Sequence, residues 1–332
     1  MEKIRRFALE EAGFDLVGFS STTLPAEHEE AASGWVENGF AGRMDYMAKD
    51  TKRRAHPERA LAGAKSVISL AVNYYHPEDP RPRDHVAGKV AKYAYGVDYH
   101  KVIEKKLKRI SNFIKEITGP QTQVKSYVDT GPILEKAFAK EAGLGFFGKN
   151  TNLITKEYGS WVFLASLITD LELEVDPPHT GACGLESTGR STAPADVPRA
   201  SACGSCRICI DACPTGALLG NYTLDARKCI SYLTIESKEP HPEELKEGVG
   251  EWFFGCDICQ DVCPYNHRPK VTRTKEFYPE KKAGTWVDLE TIKVLETDEA
   301  FSGAFQGSPL KRPKLRGLKR NAETVKGNVS YA

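Results

Sequence analysis

Apolar and polar positions alternate along this chain in two patterns, one typical of strands and one typical of helices. The run at residues 65–72 is short, apolar and rich in β-branched residues, which predicts a buried strand. At residues 100–118, isoleucine or leucine recurs at alternating spacings of four and three, which predicts a helix with one buried face. Further strands are predicted at residues 14–19, 89–95, 124–129, 151–155 and 160–168, and shorter helices at 3–12, 132–142 and 286–295. Because helices and strands do not strictly alternate, we expect an α+β domain to about residue 175.

Two residues mark the start of the helix predicted at 132–142. Pro132 fits a first helical position because its φ is already close to the helical value, and Gly131 before it is the expected N-cap. Gly143 suits the left-handed conformation that ends many helices. Asp129 lies just upstream, and its simplest interpretation from the residues alone is a cap for this helix.

The composition is that of an ordinary globular chain. Its 332 residues predict two or three domains, and 40% hydrophobic residues suffice for a sizeable core. The formal net charge of +1 indicates no global attraction to a polyanion, so basic patches must be sought locally. No apolar run approaches the ~20 residues of a membrane span, and the N-terminus has no signal-peptide core. We therefore expect a cytoplasmic protein without membrane contact.

Eight of the nine cysteines lie between residues 203 and 263, in a pattern typical of iron–sulfur proteins. The first run, Cys-x2-Cys-x2-Cys-x3-Cys-Pro beginning at Cys203, has the spacing of a bacterial 4Fe–4S ferredoxin. The second run, beginning at Cys256, lacks a leading cysteine, and Cys229 is the obvious substitute. In such ferredoxins the fourth cysteine of each run ligates the other cluster.

Crossing the fourth cysteines in this way gives two complete ligand sets. The first set is Cys203, Cys206, Cys209 and Cys263, and the second set is Cys213, Cys229, Cys256 and Cys259. A zinc site is the alternative, because paired CxxC units also bind zinc. However, a zinc site needs only four ligands, whereas this pattern supplies eight and includes the Cys-Pro ending. Disulfides are not expected in the reducing compartment to which clusters belong. Cys183 lies in a segment rich in Pro, Ser, Thr and Gly, and we expect it to be a spare thiol.

Basic residues are concentrated near the end of the chain. The segment 311–320 has six lysines and arginines in ten residues and no acid. Such a segment is either a disordered, solvated end or a contact for nucleic acid, and the residues alone leave both interpretations open. Smaller basic patches lie at 43–59 and 101–109, and the second is expected to be mainly the solvated face of its helix.

Several short motifs occur together in this chain. They are VDTG at 128–131, AGLGFFGKN at 142–150, GVDYH at 96–100, KCISYLT at 228–234, GCDICQ at 255–260 and the ferredoxin-type run with its ACPTGA ending at 212–217. In combination they resemble the epoxyqueuosine reductase family over about residues 1–325. The ferredoxin-type run alone would be generic, whereas its combination with the VDTG and AGLG segments is specific.

The resemblance implies the last step of queuosine synthesis, which removes the epoxide oxygen from epoxyqueuosine at the wobble position of tRNA. It implies base-off cobalamin in a nitroreductase-like domain at 1–178, a linker at 179–201, a bacterial ferredoxin-like domain with two 4Fe–4S clusters at 202–268, and a short helical, basic C-terminal segment at 269–332. Electrons would pass from the clusters to the cobalamin, and an external donor such as a flavodoxin or ferredoxin would supply them to a monomeric enzyme. Reductive loss of an epoxide oxygen also needs protons, so a proton donor must stand near the metal.

By the resemblance, Asp129 is that donor, and burial beside an apolar corrin is expected to raise the pKa of its carboxyl. The implied cofactor contacts are Arg54, Asp98, Asp129, Leu153, Leu164 and Gln260. The implied tRNA contacts are Lys136, Lys311, Arg312, Lys314, Arg316, Lys319 and Arg320. The sequence has no Asp-x-His-x-x-Gly, the usual protein-histidine cobalt ligand, which agrees with a cobalt that lacks a lower histidine. Many relatives continue into helical repeats that help hold tRNA, so here we expect tRNA binding to depend on the basic segments.

Two other functions share some of these features. A corrinoid reductase of the reductive dehalogenase type, acting on a small molecule, would share the clusters and the cofactor but would not need the basic C-terminal segment. A ferredoxin-like electron-transfer protein would need only the clusters, and the roughly 175 residues that precede them disfavour it. Bound corrinoid would exclude the electron-transfer protein, and salt-sensitive tRNA binding would disfavour the dehalogenase type.

Overall fold

The computed structural model describes residues 1–49, 51–178 and 203–329, so Cys183 lies outside the described residues. In these ranges the strands are β1 (Leu16–Ser21), β2 (Ser66–Asn73), β3 (Ala87–Val90), β4 (Val124–Tyr127), β5 (Phe146–Phe147), β6 (Leu153–Ile154), β7 (Val162–Thr169), β8 (Leu218–Gly220), β9 (Thr223–Leu224), β10 (Trp252–Phe254) and β11 (Trp286–Asp288). The helices are α1 (Glu2–Arg6), α2 (Ala26–Glu37), α3 (Asp45–Ala48), α4 (Thr51–Ala55), α5 (Tyr99–Thr118), α6 (Glu135–Glu141), α7 (Ile208–Asp211), α8 (Ile230–Ile235), α9 (Glu243–Val249), α10 (Ile258–Asp261), α11 (Leu289–Lys293), α12 (Asp298–Ala304) and α13 (Lys314–Val329). The predicted mixture of helices and strands is confirmed. Within the described part of the chain, no helix combines the length and the apolar character needed to cross a membrane.

The main sheet is antiparallel throughout and has the strand order β1-β2-β7-β4. All eight residues of β2 are buried, because both faces of the sheet are covered. On one face, Ile68 and Leu70 belong to a core that α5 completes. On the other face, Val67 and Ala71 pack against residues of α6. Since successive side chains of a strand point to opposite faces, covering both faces makes every position apolar or small, which is why this strand is recognisable in the sequence.

The helix predicted at 100–118 is confirmed as α5. Its N-cap is Asp98, whose side chain accepts a hydrogen bond from the backbone N–H of His100 at 3.1 Å. The predicted apolar stripe is buried at Ile103, Leu107, Ile110 and Ile114. Ile117 at its end is 39% exposed, because the helix ends one residue later and leaves the sheet.

A second, three-stranded sheet joins distant parts of the chain. Its central strand is β3, which pairs in parallel with β10 and antiparallel with β11. A strand of the N-terminal half is therefore bonded on both edges to strands of the C-terminal half. The division of the chain at residues 178, 202 and 268 remains a prediction, and this sheet crosses it.

The basic segment 311–320 is not a disordered end, which corrects one of its two interpretations. Most of it belongs to α13, which packs in a second core beside the β3 sheet. The buried apolar residues of this helix are Leu315, Leu318, Ala322 and Val325. They recur at spacings of three and four between the basic residues, so the helix buries one stripe and keeps its cations on the rest of its surface.

The helix predicted at 286–295 is wrong at its start. Trp286–Asp288 is strand β11, and only Leu289–Lys293 is helical. The side chain of Asp288 accepts the backbone N–H of Glu290 at 2.9 Å and so caps this helix. The strand forms because its partner β3 supplies the hydrogen bonds, and that partner lies about 200 residues earlier in the chain.

The start predicted for the helix at 132–142 is also wrong, because α6 begins at Glu135 with Leu134 as its N-cap. The backbone N–H of Leu134 donates to the carbonyl of Arg54 at 2.8 Å, a tertiary bond that keeps the preceding residues out of the helix. The strand predicted at 89–95 is shorter and starts earlier, as β3, and a short 3-10 turn follows at Lys92–Ala94.

Candidate active site and cluster-binding cysteines

An open cavity of about 2210 Å³ lies where the N-terminal segments, the cysteine-rich region and α13 meet. It is larger than the ~300–1,000 Å³ of ordinary small-molecule sites. Among its lining residues are Arg54, Asp98, Asp129, Lys136 and all six basic residues of the segment 311–320. The structure therefore brings predicted cofactor contacts and predicted tRNA contacts, far apart in sequence, to the wall of one cavity.

A side pocket of about 170 Å³ opens beside Asp129. Its wall includes Leu153 and Leu164, two of the predicted cofactor contacts. Gln260 lies behind this wall, where its Oε1 accepts a hydrogen bond from the hydroxyl of Ser160 at 2.8 Å. Ser160 itself lines the side pocket, so Gln260 positions a wall residue.

Asp129 lies just after the end of β4, in a left-handed backbone conformation with φ of +56°. Aspartate tolerates this region better than most residues, at a cost of about 1 kcal/mol. Its Oδ2 accepts a short hydrogen bond, 2.6 Å, from the hydroxyl of Tyr99. Its backbone N–H donates to the carboxyl group of Glu135, at 3.0 and 3.2 Å from the two oxygens. With 61% of its side chain exposed, the carboxyl faces the cavity.

The first turn of α5 carries two residues of this site that the sequence interpretation missed. Tyr99 stacks on the ring of His100, with 4.1 Å between ring centroids, and its hydroxyl reaches Asp129. The Nε2 of His100 lies 3.5 Å from Oδ2 of Asp129, while its Nδ1 lies 2.8 Å from Oδ1 of Asp98. Asp98 therefore caps the helix and orients His100. The available signal was a histidine two residues after a helix-capping aspartate.

The expected rise in the pKa of Asp129 is not what the free chain shows. Burial pushes this pKa up, but the nearby imidazole of His100 and the hydrogen bond from Tyr99 outweigh it, so the pKa lies below its ordinary value. Burial lowers the pKa of His100, yet its close contact with Asp129, its hydrogen bond to Asp98 and the charges of both carboxylates raise it to about 9. At neutral pH the proton of this pair is therefore held on the imidazole, and the carboxylate is ionised.

Glu135 behaves in the opposite way. Burial, followed by the charge of Asp129, raises its pKa to about 8. Near neutrality this carboxyl is therefore largely protonated, which avoids two adjacent anions. Two acids only six residues apart thus differ in charge, because one contacts cations and donors while the other contacts an anion.

Arg54 ties the segment around Tyr46 to the loop that follows Asp129. Its Nη1 donates to the carbonyl of Gly131 at 3.0 Å, and its Nη2 donates to the carbonyl of Tyr46 at 2.9 Å. Its Nε is buried and has no hydrogen-bond partner in the described structure. The guanidinium therefore lines the cavity with one donor unused.

The predicted tRNA contacts are not equally available. The Nζ of Lys136 donates to the carbonyl of Thr151 at 3.0 Å. Arg320 donates to the backbone carbonyl of Leu233 in α8 at 2.7 Å and to that of Glu239 after this helix at 2.8 Å, and burial lowers its pKa to about 10. Arg320 therefore stabilises the backbone around α8, although it also lines the cavity.

The cysteines of the first predicted ligand set lie near one another in the structure, and the assignment of ligands remains a prediction. Burial, and then the charges of Cys203, Cys209 and Cys206, raise the pKa of the free Cys263 thiol to about 11. Cys203 and Cys263 also lie against the same apolar cluster, formed by Phe146 and Ile154. The fourth cysteine of the second run is thus next to the first three cysteines of the first run.

The second set is grouped in the same way. The charges of Cys229, of Cys209 from the first set and of Cys213 act on the thiol of Cys259 after burial, and those of Cys259 and Cys229 act on the thiol of Cys256. In the described ranges, no three or more His, Cys, Asp or Glu side chains are close enough together to hold one metal ion. A zinc site needs four ligands about one ion, whereas a cubane places each thiolate on a different iron.

The second cysteine set is the one beside the cavity. Cys229 is among the lining residues, and the side chain of Asn150 donates to the carbonyl of Cys259 at 3.3 Å. No cysteine of the first set is among the described lining residues, and the Nζ of Lys149 fixes the loop of that set by donating to the carbonyls of Gly204 and Cys206 at 2.6 and 3.0 Å. A cavity with an acid–histidine network, flanked by a region with two cysteine sets, defines the class of an iron–sulfur oxidoreductase.

Comparisons with known proteins agree with this class. Residues 202–266 match a family profile described as a 4Fe-4S double cluster binding domain. Residues 54–130, which include Arg54, Asp98 and Asp129, match a profile described as epoxyqueuosine reductase QueG, DUF1730.

Relatives match almost the whole chain. Epoxyqueuosine reductase of Leadbetterella byssophila is 43% identical over 320 residues, covering 95% of each chain. A crystal structure of epoxyqueuosine reductase with a tRNA-Tyr epoxyqueuosine-modified stem loop has a TM-score of 0.86 at 29% identity, covering 98% of this chain and 80% of that one. A structure of the enzyme from Bacillus subtilis, with an aspartate-bearing catalytic loop swung out of the active site, has a TM-score of 0.85 at 29% identity, covering 100% and 82%. The chain belongs to the epoxyqueuosine reductase family and is an oxidoreductase.

Proposed function

We propose that this chain reduces epoxyqueuosine to queuosine at the wobble position of tRNA. The observation that carries the proposal is one cavity whose wall holds the Asp129 network, a cysteine of the second set and ten of the described lysines and arginines. A small-molecule reductase would have no use for that many cations. The similarity to an epoxyqueuosine reductase seen with a modified tRNA stem loop supports the same substrate.

The large cavity and the side pocket, which share Tyr99, Asp129 and Lys136 in their walls, would together hold the base-off cobalamin that the family resemblance implies. Leu153 and Leu164 offer an apolar wall, Gln260 holds the wall residue Ser160, and the buried Nε of Arg54 in the large cavity has no hydrogen-bond partner among the described residues. These features suit a large ring with an apolar face and amide side chains, in a nitroreductase-like domain. When bound there, cobalamin would supply a strongly reducing cobalt to which the clusters deliver electrons.

The two cysteine sets would hold the 4Fe–4S clusters in series. The first set, Cys203, Cys206, Cys209 and Cys263, does not line the cavity in the described part of the chain and would receive electrons from an external donor such as a flavodoxin or ferredoxin. The second set, Cys213, Cys229, Cys256 and Cys259, borders the cavity through Cys229 and would deliver them. Cys259 lies within electrostatic range of Cys209 as well as of Cys213, which supports close contact of the two clusters.

Removing the epoxide oxygen as water consumes two electrons and two protons, and Asp129 is the proton donor in this proposal. Its carboxylate is ionised in the free chain, so it needs both a proton source and a rise in pKa. Covering a side chain that is 61% exposed removes its water and raises its pKa. His100, 3.5 Å away and protonated at neutral pH, then passes its proton to Oδ2.

The left-handed conformation of Asp129 supports this task. Its backbone N–H is held by Glu135, and the loop behind it is held by Arg54 through the carbonyl of Gly131. A strained residue at a cavity edge that persists only through such bonds is typical of a catalytic position. The relative whose catalytic loop has swung out shows that a comparable loop can move in that protein.

The basic residues of α13 and its N-terminal flank, with Lys136, would bind the anticodon stem loop. Lysines and arginines bind backbone phosphates without reading sequence, and the affinity falls steeply with salt. The target base would be splayed out of the loop toward Asp129, as is usual when chemistry is done on a base.

The test is an anaerobic turnover assay on cluster-reconstituted protein, with and without added cobalamin. The substrate is tRNA bearing epoxyqueuosine, and mass spectrometry of the nucleosides reports the loss of one oxygen atom. Conversion that requires cobalamin supports both the reaction and the cofactor. If protein with intact clusters and bound cobalamin gives no conversion, the small-molecule reductase becomes the better hypothesis.

A further inference from the structure

Two ion pairs lie at the exposed edge of the large cavity. Arg43 contacts Glu239 through Nη1 and Oε1 at 2.5 Å. The guanidinium of Arg312 donates two hydrogen bonds to the carboxylate of Glu236, from Nε to Oε1 at 3.0 Å and from Nη2 to Oε2 at 3.2 Å. The side chains of Arg43, Glu239 and Arg312 are 67%, 56% and 53% exposed, so both pairs are in contact with water.

The backbone on both sides of these pairs is fixed. The backbone N–H of Arg43 donates to the hydroxyl of Tyr232 at 2.9 Å. The segment that carries both glutamates is held through its carbonyls, by Arg316 at Lys238 (2.9 Å) and by Arg320 at Glu239 (2.8 Å). Only the side chains of the four paired residues therefore have to move for the pairs to separate.

A phosphate can take the place of each carboxylate. The guanidinium fork matches carboxylate and phosphate oxygens with the same geometry. Exposed ion pairs of this kind are weak, so a polyanion entering the cavity competes with the glutamates at little cost. Among the described residues, the cavity lining contains ten lysines and arginines and six aspartates and glutamates, and two of those six acids are Glu236 and Glu239.

An aromatic ring lies beside the Arg312–Glu236 pair. Tyr46 is 45% exposed, and the guanidinium of Arg312 lies 5.8 Å from the centre of its ring. Unpaired RNA bases stack on exposed aromatic rings and on arginine planes, beside phosphates held by cations. Arg43, Tyr46 and Arg312 thus combine the two kinds of contact that single-stranded RNA uses.

We propose that Arg43 and Arg312 form a binding site for backbone phosphates of the RNA loop, which Glu239 and Glu236 occupy in the free chain. This inference rests on the proposed tRNA substrate. The glutamates act as internal competitors, which lower the affinity for RNA in general and are displaced when a correctly placed loop brings its phosphates to both arginines.

The test compares Glu236→Gln, Glu239→Gln and the double variant with the wild type, as cluster-reconstituted full chains. The probe is an anticodon stem loop with epoxyqueuosine, and its Kd is measured across a series of salt concentrations. Glu243→Gln is the matched control, because Glu243 is exposed and paired with Lys246 but lies outside the cavity lining. We expect each cavity variant to bind about two- to five-fold more tightly at low salt, with a steeper salt dependence. Combining Glu236→Gln with Arg312→Gln is expected to abolish its gain.

Three results would overturn the proposal. They are unchanged or weaker binding by the cavity variants, an equal gain from Glu243→Gln, and a gain from Glu236→Gln that survives the loss of Arg312. If the wild type converts tRNA while the variants show no gain, only this inference fails. If the wild type neither binds nor converts tRNA, the proposed function fails with it.

Discussion

Replacing His100 with glutamine removes the group that would recharge Asp129 with a proton. Glutamine keeps a side chain that can hydrogen-bond Asp98, but it has no proton to give at any accessible pH. In the wild type, the imidazole is held between two carboxylates, 2.8 Å from Asp98 and 3.5 Å from Asp129, and its pKa is raised to about 9. This substitution tests the supply of protons to Asp129 alone, because it leaves the cluster-binding cysteines and the basic residues of α13 unchanged.

The size of the effect follows from what remains around Asp129. Positioned acids contribute about 10²- to 10⁴-fold to turnover. Tyr99 still donates to the carboxylate, and its own pKa is raised, chiefly by burial, so it is a poor proton source. The carboxyl is partly exposed, which lets water recharge it slowly. We therefore expect a fall in kcat at the lower end of this range, about 10²-fold, and a Kd for tRNA within two-fold of the wild type.

The assay is single-turnover conversion of epoxyqueuosine tRNA between pH 6 and 10. The raised pKa of His100 means that its proton is present at low and neutral pH and is lost as the pH passes about 9, so wild-type activity should fall there. The activity of the His100→Gln variant should not show this decrease at alkaline pH. Asp98→Asn, which leaves the histidine in place without one carboxylate, should shift the decrease in activity to lower pH. A variant that retains more than a tenth of wild-type activity, or that keeps the same fall near pH 9, would refute the role of His100.

Three further predictions address other parts of the molecule. Asp129→Asn should keep both clusters and cobalamin, measured by iron content and absorption spectra, while kcat drops by about 10²-fold or more; full activity would remove Asp129 as the donor. Cys183→Ser should leave about eight irons per chain, since the two ligand sets do not use it; loss of half the iron would show that the assignment is wrong. Leu318→Ala, at a fully buried position of α13, should lower the free energy of unfolding by about 3 kcal/mol, whereas the exposed Glu323→Ala should change it by less than about 0.5 kcal/mol in the same denaturation experiment.

Local sequence patterns predicted the elements that the surrounding fold did not modify. The strand at 65–72 and the helix at 100–118 were recognisable because the pattern of apolar residues within each segment already shows which of its residues are buried. The strand Trp286–Asp288 was not, because its hydrogen bonds come from β3, about 200 residues away. The start of α6 was missed for a similar reason, since the N–H of Leu134 is bonded to Arg54.

The properties of the candidate site could likewise be predicted from the sequence only in part. Resemblance and spacing selected Asp129, Arg54 and the cysteines, and the fold brings them to one region. The charge state of Asp129 depends on His100 and Tyr99, which reach it from another element. Sequence alone suggested that burial would raise its pKa, whereas the neighbours supplied by the fold lower it. Electrostatics of this kind depends on distances that no local pattern contains.

The position of β3 between β10 and β11 has a consequence for how the chain is made. Until residue 288 has left the ribosome, β3 has at least one bare edge, and before residue 252 it has two. Unpaired strand edges recruit other chains, so fragments that end before the cysteine-rich region should aggregate rather than accumulate as a separate cofactor-binding domain. Closure of the cavity wall is delayed in the same way, because the C-terminal helix that bonds to Thr234 and Phe253 through Asn321 follows β11 in the chain.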